Sequence, residues 1–255
     1  MLCTVDAVAG RAQGGPVAGG GVVTEPHPAL RLLWEPPARP TRGPKPGLTL
    51  ESIARAGIEI ADAEGLSAVS MQRIAGLLGH TKMALYRYVP GKAELVALMI
   101  EHTAGDPPPP NDAPWRERLT DWTHRMAAVL TAHPWLLDAL AAPRPTGPRE
   151  LAWLESVVAA LDGHGLTGAE RMDAAVLLIG HARTIAAQHR QSATGSPEAE
   201  LLHALVPLIH THATRYPALA AALTDPPTGH DNAFDFGLAR ILDGLAALIT
   251  QRTRT

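Results

Sequence analysis

Cysteine is almost missing from this chain: among 255 residues only Cys3 is one. A lone thiol excludes a disulfide framework and a cysteine-rich zinc site, and fits a reducing cytosol. Aromatic residues are also scarce, at 4%, although apolar residues reach 46%. Alanine and leucine carry that apolar content, which favours packed helices over sheets. No apolar run approaches the length of a membrane span, and Met1 to Gly21 lacks the charged-then-apolar order of a secretory signal. The expectation is therefore a soluble, cytoplasmic protein with no membrane partner. A glycine-rich phosphate loop, a nucleophile motif and a carboxylate–histidine cluster at useful spacing are all lacking, so neither an enzyme nor a metal or cofactor site is expected. His203 and His210 share a helix face, but without a carboxylate at ligand spacing. Strand patterns and internal repeats are absent too.

What the chain does contain is organised in three stretches. Residues 1–48 read as a flexible Gly/Pro-rich tail with a basic arm. Gly14-Gly15-Pro16, Gly19-Gly20-Gly21, Pro26, Pro28 and Pro36-Pro37 cannot sustain a helix or a central strand. Leu30, Leu32, Leu33 and Trp34 form one apolar island there, which either docks on the rest of the protein or has no role. From Thr49 the pattern becomes helical. Thr49 suits an N-cap, and Ile53, Ala56, Gly57, Ile60 and Ala61 recur at helical spacing before Gly65. Shorter helices follow from Ser70 and from Thr81, and a fourth runs from Lys92 to Thr103. Gly105 to Pro110 reads as a linker or a surface loop between two units. Residues 111–255 are helical throughout, including a long segment from Gly168 to about Gln191 and a last helix with a stripe from Phe234 to Ile249.

The segment from Ser70 to Val89 has the mechanics of a helix-turn-helix. Two helices that cross steeply need a small residue at closest approach, which Ala75 supplies. The turn needs a positive φ, which Gly79 adopts without a Cβ penalty. Leu85 anchors the second helix to the core with Ile74 and Leu78. The positions left over, Lys82, Met83, Ala84 and Tyr86, face outward, and such a helix fits the DNA major groove. Charge points the same way. Although the formal net charge is −3, Arg73, Lys82, Arg87 and Lys92 occur without an acid between Arg73 and Lys92. After Thr103 there are 12 basic and 16 acidic residues. Charge alone would fit a solvated surface; joined to the Ala-Gly-Leu spacing it favours DNA.

Thr49-Leu50-Glu51-Ser52-Ile53, Glu64-Gly65-Leu66, Ser70-Met71-Gln72-Arg73-Ile74-Ala75, Leu85-Tyr86-Arg87-Tyr88-Val89 and Lys92-Ala93-Glu94-Leu95 resemble the N-terminal domain of the TetR family of repressors. Phrases such as His133-Pro134-Trp135 and Phe236-Gly237-Leu238 before Leu242-Asp243-Gly244 resemble the C-terminal part of the branch that includes the tetracycline repressor. The resemblance implies an all-α fold: a three-helix DNA-binding domain over 49–104 and a helical ligand-binding and dimerisation domain over 111–255.

Roles follow from the matched positions. Lys82, Met83 and Ala84 match the base-facing start of the recognition helix, and Gln72 matches a position that reaches a base. Tyr86, Tyr88 and Lys92 match phosphate contacts, with Thr81 capping the recognition helix. Arg42 and Lys45 either follow the minor groove or belong to a solvated arm. His80 departs from the family's usual aliphatic residue and is read as partly buried and neutral, with a phosphate contact as the alternative. The implied partners are double-stranded operator DNA, a second copy of the chain and a small-molecule effector. The last helix and the segment around Ala174 to Ala187, with Ala174, Ala175, Gly180, Ala182, Ala186 and Ala187, are the candidates for the dimer bundle. Trp122, Met126, Trp153, Met172, His181 and Arg183 are the candidate lining of an effector pocket. The expected function is that of a transcriptional repressor released from its operator by an effector. A non-specific nucleoid-type binder, or an activator with the same head, is the alternative.

Overall fold

The computed structural model describes residues 28–35, 48–142, 144–192, 197–224 and 233–254. Every regular element among them is helical. The chain divides into two compact units, one containing the described residues up to Pro107 together with Trp135–Trp153, the other containing Pro108–Pro134 and the chain from Leu154 onward.

The first unit begins inside the stretch expected to be a tail. Residues Pro28–Trp34 form helix α1, which packs on α5, the helix Lys92–Ala104. Leu33 is buried and the indole N–H of Trp34 donates to the Thr146 carbonyl at 3.2 Å. Proline flanks on both sides hid this helix: Pro28 opens it, where a missing N–H costs nothing. The apolar island therefore docks. Leu33→Ala is expected to lower the unfolding free energy by about 2–3 kcal/mol, measurable by urea denaturation. A loss below a few tenths of that would mean α1 adds little to the fold.

Helix α2, Leu50–Glu64, starts from a reciprocal cap. The Ser52 N–H donates to Thr49 Oγ1 at 3.0 Å, and the Thr49 N–H donates to Ser52 Oγ at 2.9 Å. Its inner face is Ile53, Ala54, Ala56, Gly57, Ile60 and Ala61. Gly57 lets α5 approach, since a Cβ there would stand 2.7 Å from Met99 Sδ. A single 3-10 turn, Leu66–Ala68, leads into α3, Met71–Leu77, and α4, Lys82–Tyr86. Ile53, Val69, Ile74, Leu85, Val89, Leu95 and Met99 are fully buried in this unit.

Helix α7, Trp135–Ala139, also belongs to the first unit, as does the start of α8, Pro148–Ala160. Polar anchors tie these segments to the first unit. The Trp135 indole donates to Asp62 on α2 at 2.8 Å, and the Trp153 indole donates to the carbonyls of Ala104 and Gly105 at 3.1 and 3.2 Å. The buried Glu101 carboxylate accepts from the backbone N–H groups of Arg149 and Glu150 at 3.0 and 3.3 Å, capping α8. Burial raises the Glu101 carboxyl above the usual glutamate range, outweighing those two donors.

In the second unit, α6 (Trp115–Ala132), α9 (Gly168–Gln191) and α12 (Ala233–Arg252) pack on one another. Thr167 and Glu170 cap α9 reciprocally. Leu119, Trp122, Leu130, Leu178, Ala182 and Leu242 are buried. Helices α10 (Pro197–Thr211) and α11 (Pro217–Thr224) complete the unit. No helix among the described residues is long and apolar enough to cross a membrane.

Candidate DNA-binding surface

Helix α3 is capped by Ser70, whose hydroxyl accepts from the Arg73 N–H at 3.3 Å. Met71, Ile74 and Ala75 face the core, which leaves Gln72 and Arg73 exposed. The helix closes through a paired hydrogen-bond arrangement around a left-handed glycine. Gly79 has φ 68°, its N–H donates to the Gly76 carbonyl at 3.2 Å, and the His80 N–H donates to the Ala75 carbonyl at 2.9 Å. Gly79 thus has the positive φ expected of it, and Ala75 is buried as the small contact residue.

His80 stands just past this turn and is exposed, which corrects its expected partial burial. Its backbone N–H is held by the turn, while its ring stays in solvent. Thr81 then caps α4, accepting from the Ala84 N–H at 3.3 Å. Within α4 only Leu85 is buried. Lys82, Met83 and Tyr86 are exposed and Ala84 is half-buried. The Lys82 ammonium sits 5.5 Å from the Tyr86 ring centroid, a contact one helical turn long. Tyr88 is half-buried, and Lys92, the first residue of α5, is exposed. The candidate contacts from Gln72 to Lys92 therefore lie on one short supersecondary unit with accessible side chains. Arg42 and Lys45 lie outside the described residues.

The basic stretch is less basic than its local count implies. Arg73 forms a two-pronged ion pair with Glu64, at the end of α2, with one contact at 2.8 Å. The acid lies nine positions upstream, so a count begun at Arg73 misses it. The Arg73 guanidinium holds the Glu64 carboxyl below the usual glutamate range, and Glu64 raises Arg73 in turn. A depressed carboxyl contributes stability above its unfolded pKa and loses it as pH falls through its folded value. In Arg73→Ala, the Glu64 carbon resonance followed by NMR is expected to titrate at higher pH than in the wild type. An unchanged titration would show the pair absent in solution.

The six candidate effector residues divide between the units. Trp153 lies in the first, engaged with the end of α5. The other five lie in the second. Trp122 is buried and Met126 half-buried on α6, while Met172, His181 and Arg183 are half-buried on α9. His181 is committed to a contact the sequence did not suggest. Its Nε2 lies 2.8 Å from the Phe234 carbonyl, and its ring stacks on Phe234 with centroids 5.3 Å apart and planes 8° apart. His124 meets the same phenyl ring edge-on at 4.8 Å. These three rings come from three helices separated by more than fifty residues, so no local spacing could have signalled them.

The small residues of α9 also settle differently from expectation. Ala174, Ala175, Ala182 and Ala186 are buried, whereas Gly180 is exposed and Ala187 half-buried. Close approach by the buried alanines is already used within the chain, where α9 packs on α6 and α12.

Residues 53–99 match the model described as bacterial regulatory proteins, tetR family, and residues 107–249 match the tetracyclin repressor-like C-terminal domain. The HTH-type transcriptional repressor DrrR1 of Streptomyces coeruleorubidus is 38% identical over 254 residues, spanning 95% of this chain and 93% of that protein. An HTH-type transcriptional regulator of Saccharopolyspora erythraea is 30% identical over 224 residues, spanning 84% and 91%. Among solved structures, apo ActR of Streptomyces coelicolor superposes with a TM-score of 0.69 at 27% identity, covering 82% of this chain and 99% of that one. ActR in complex with actinorhodin gives a TM-score of 0.67 at 26% identity, covering 79% and 98%.

Proposed function

The chain belongs to the tetR family of bacterial regulatory proteins, and we propose that it is a repressor that holds operator DNA as a homodimer and releases it when a small molecule enters its C-terminal body. What carries the proposal is α4: one buried anchor, Leu85, and an otherwise accessible helix bearing Lys82, Met83 and Tyr86, with Lys92 close in sequence. Such a helix presents side chains to base edges while neighbouring donors take phosphates. Two-fold operators match two-fold proteins, which favours a dimer with recognition helices about 34–36 Å apart. The exposed face of α9, with Val176, Leu177 and Gly180, is the surface we assign to the partner copy, together with the exposed Phe236 of α12.

An effector fits the same scheme. A relative in the family binds actinorhodin, and Met126, Met172 and Arg183, with Trp122 and His181, are the lining we assign to the pocket in this chain. A ligand that prefers a body incompatible with the operator-bound spacing lowers DNA affinity by its differential binding, typically about 1–3 kcal/mol.

Selection of bound fragments from genomic DNA tests the proposal. The expected result is enrichment of a short inverted repeat, bound at a fixed salt concentration far more tightly than random duplex. Equal affinity for random duplex would instead identify a non-specific binder.

A further inference from the structure

Helix geometry singles out one side chain on α4. At about 100° per residue, Met83 lies about 160° from Leu85, so it points almost directly away from the core. Lys82 lies only about 60° from Leu85, and Ala84 and Tyr86 flank at about 100° on either side. Exposure follows that order at its extremes: Leu85 is 0% exposed and Met83 is 73% exposed. Lys82 is further drawn sideways by Tyr86, 5.5 Å from the ring centroid. The pole of the helix is therefore apolar, flexible and unbranched, and the residue that would meet the floor of a groove cannot form a strong hydrogen bond.

The floor of the major groove offers one apolar group, the C5-methyl of thymine. We propose that Met83 reads a thymine methyl in each half of the operator, so that the centre of each half-site is recognised by apolar contact, flanked by polar readout from Lys82 and Gln72. This rests on α4 being the recognition helix. The methionine side chain covers the methyl and loses its own exposed surface at the same time. A hydrogen-bonding base edge at that position would instead be left facing a thioether.

The test uses the full-length protein and a duplex that it selects from a random-sequence pool. Deoxyuridine replaces thymine one position at a time; it keeps every hydrogen-bonding group and lacks only the methyl. The expected result is one position per half-site at which this change weakens wild-type binding about fourfold, the effect of burying one methyl group. Met83→Ala should bind the parent duplex more weakly and be indifferent to deoxyuridine at that position. Met83→Leu, which keeps an apolar side chain, should retain the sensitivity. Wild-type binding that is indifferent to every thymine replacement overturns the proposal, as does an alanine variant with undiminished sensitivity. If no duplex is selected over random DNA, it is the assignment of α4 as recognition helix that fails, and the inference falls with it. Because Met83 is exposed, its variants should fold, and a circular dichroism melt verifies that in each case.

Discussion

Tyr86→Ala and Lys92→Ala, combined in one chain, are expected to abolish specific DNA binding while leaving the helical fold intact. Both side chains are exposed, and the core built from Ile74, Leu85 and Val89 does not depend on them. Surface substitutions of this kind usually change stability by no more than about 0.5 kcal/mol. Their effect on binding is of another order. Hydrogen bonds to a charged group contribute about 1.5–3 kcal/mol each. Losing two of them in each half of a dimer lowers affinity at least about ten-thousandfold. Removing the Tyr86 ring also deletes the support it gives to Lys82. Fluorescence anisotropy on a selected operator, beside a thermal melt, separates binding from folding. Unchanged affinity would displace the DNA-binding surface from α4 and the start of α5.

Gly237→Ala is expected to destabilise the second unit, against the usual preference of helices for alanine. That preference alone would favour the substitution by about 1 kcal/mol. Packing decides the opposite sign. A Cβ at position 237 would stand 2.4 Å from Cε1 and 2.9 Å from Nε2 of His181. The ring has nowhere to go without leaving its stack on Phe234 and its bond to the Phe234 carbonyl. Overpacking costs about 1–3 kcal/mol, and the lost hydrogen bond adds about 1 kcal/mol. The net loss is about 1–3 kcal/mol once the helical gain is subtracted. His181→Ala removes the obstruction, so in the double variant Gly237→Ala should become neutral or stabilising. If alanine at 237 costs as much with alanine at 181 as with histidine, the close approach is not what keeps this glycine.

These two cases show where sequence reasoning reaches and where it stops. The helix-turn-helix is legible because its requirements are local. A small residue at 75, a left-handed residue at 79 and an apolar anchor at 85 are dictated within a dozen positions, and all three stand as expected. His80 escapes because the aliphatic residue usual at that position in the family suggests burial, whereas the turn holds only its backbone and leaves the ring outside. Helix α1 escapes because prolines on both sides outweigh an apolar island only a few residues long. Contacts between distant segments are illegible for a different reason. The pairing of Trp135 with Asp62, the cap that Glu101 places on α8 and the His124–Phe234–His181 stack each join helices with no shared local pattern. Likewise the alanines of α9 signal close helix approach correctly, but not that the neighbour lies in the same chain.

The engagement of Arg73 by Glu64 has a consequence for how the duplex gives up its bound ions. A cation already matched by a carboxylate displaces few counterions from DNA. Among the described residues of this surface, Lys82, Arg87 and Lys92 are the cations without a carboxylate partner. With a slope of about −0.9 in log K against log salt for each phosphate neutralised, they set a limit of about −2.7 per protomer. Any steeper dependence assigns the remainder to Arg42 and Lys45, and Glu64→Gln, by releasing Arg73, should add nearly one further ion to the count.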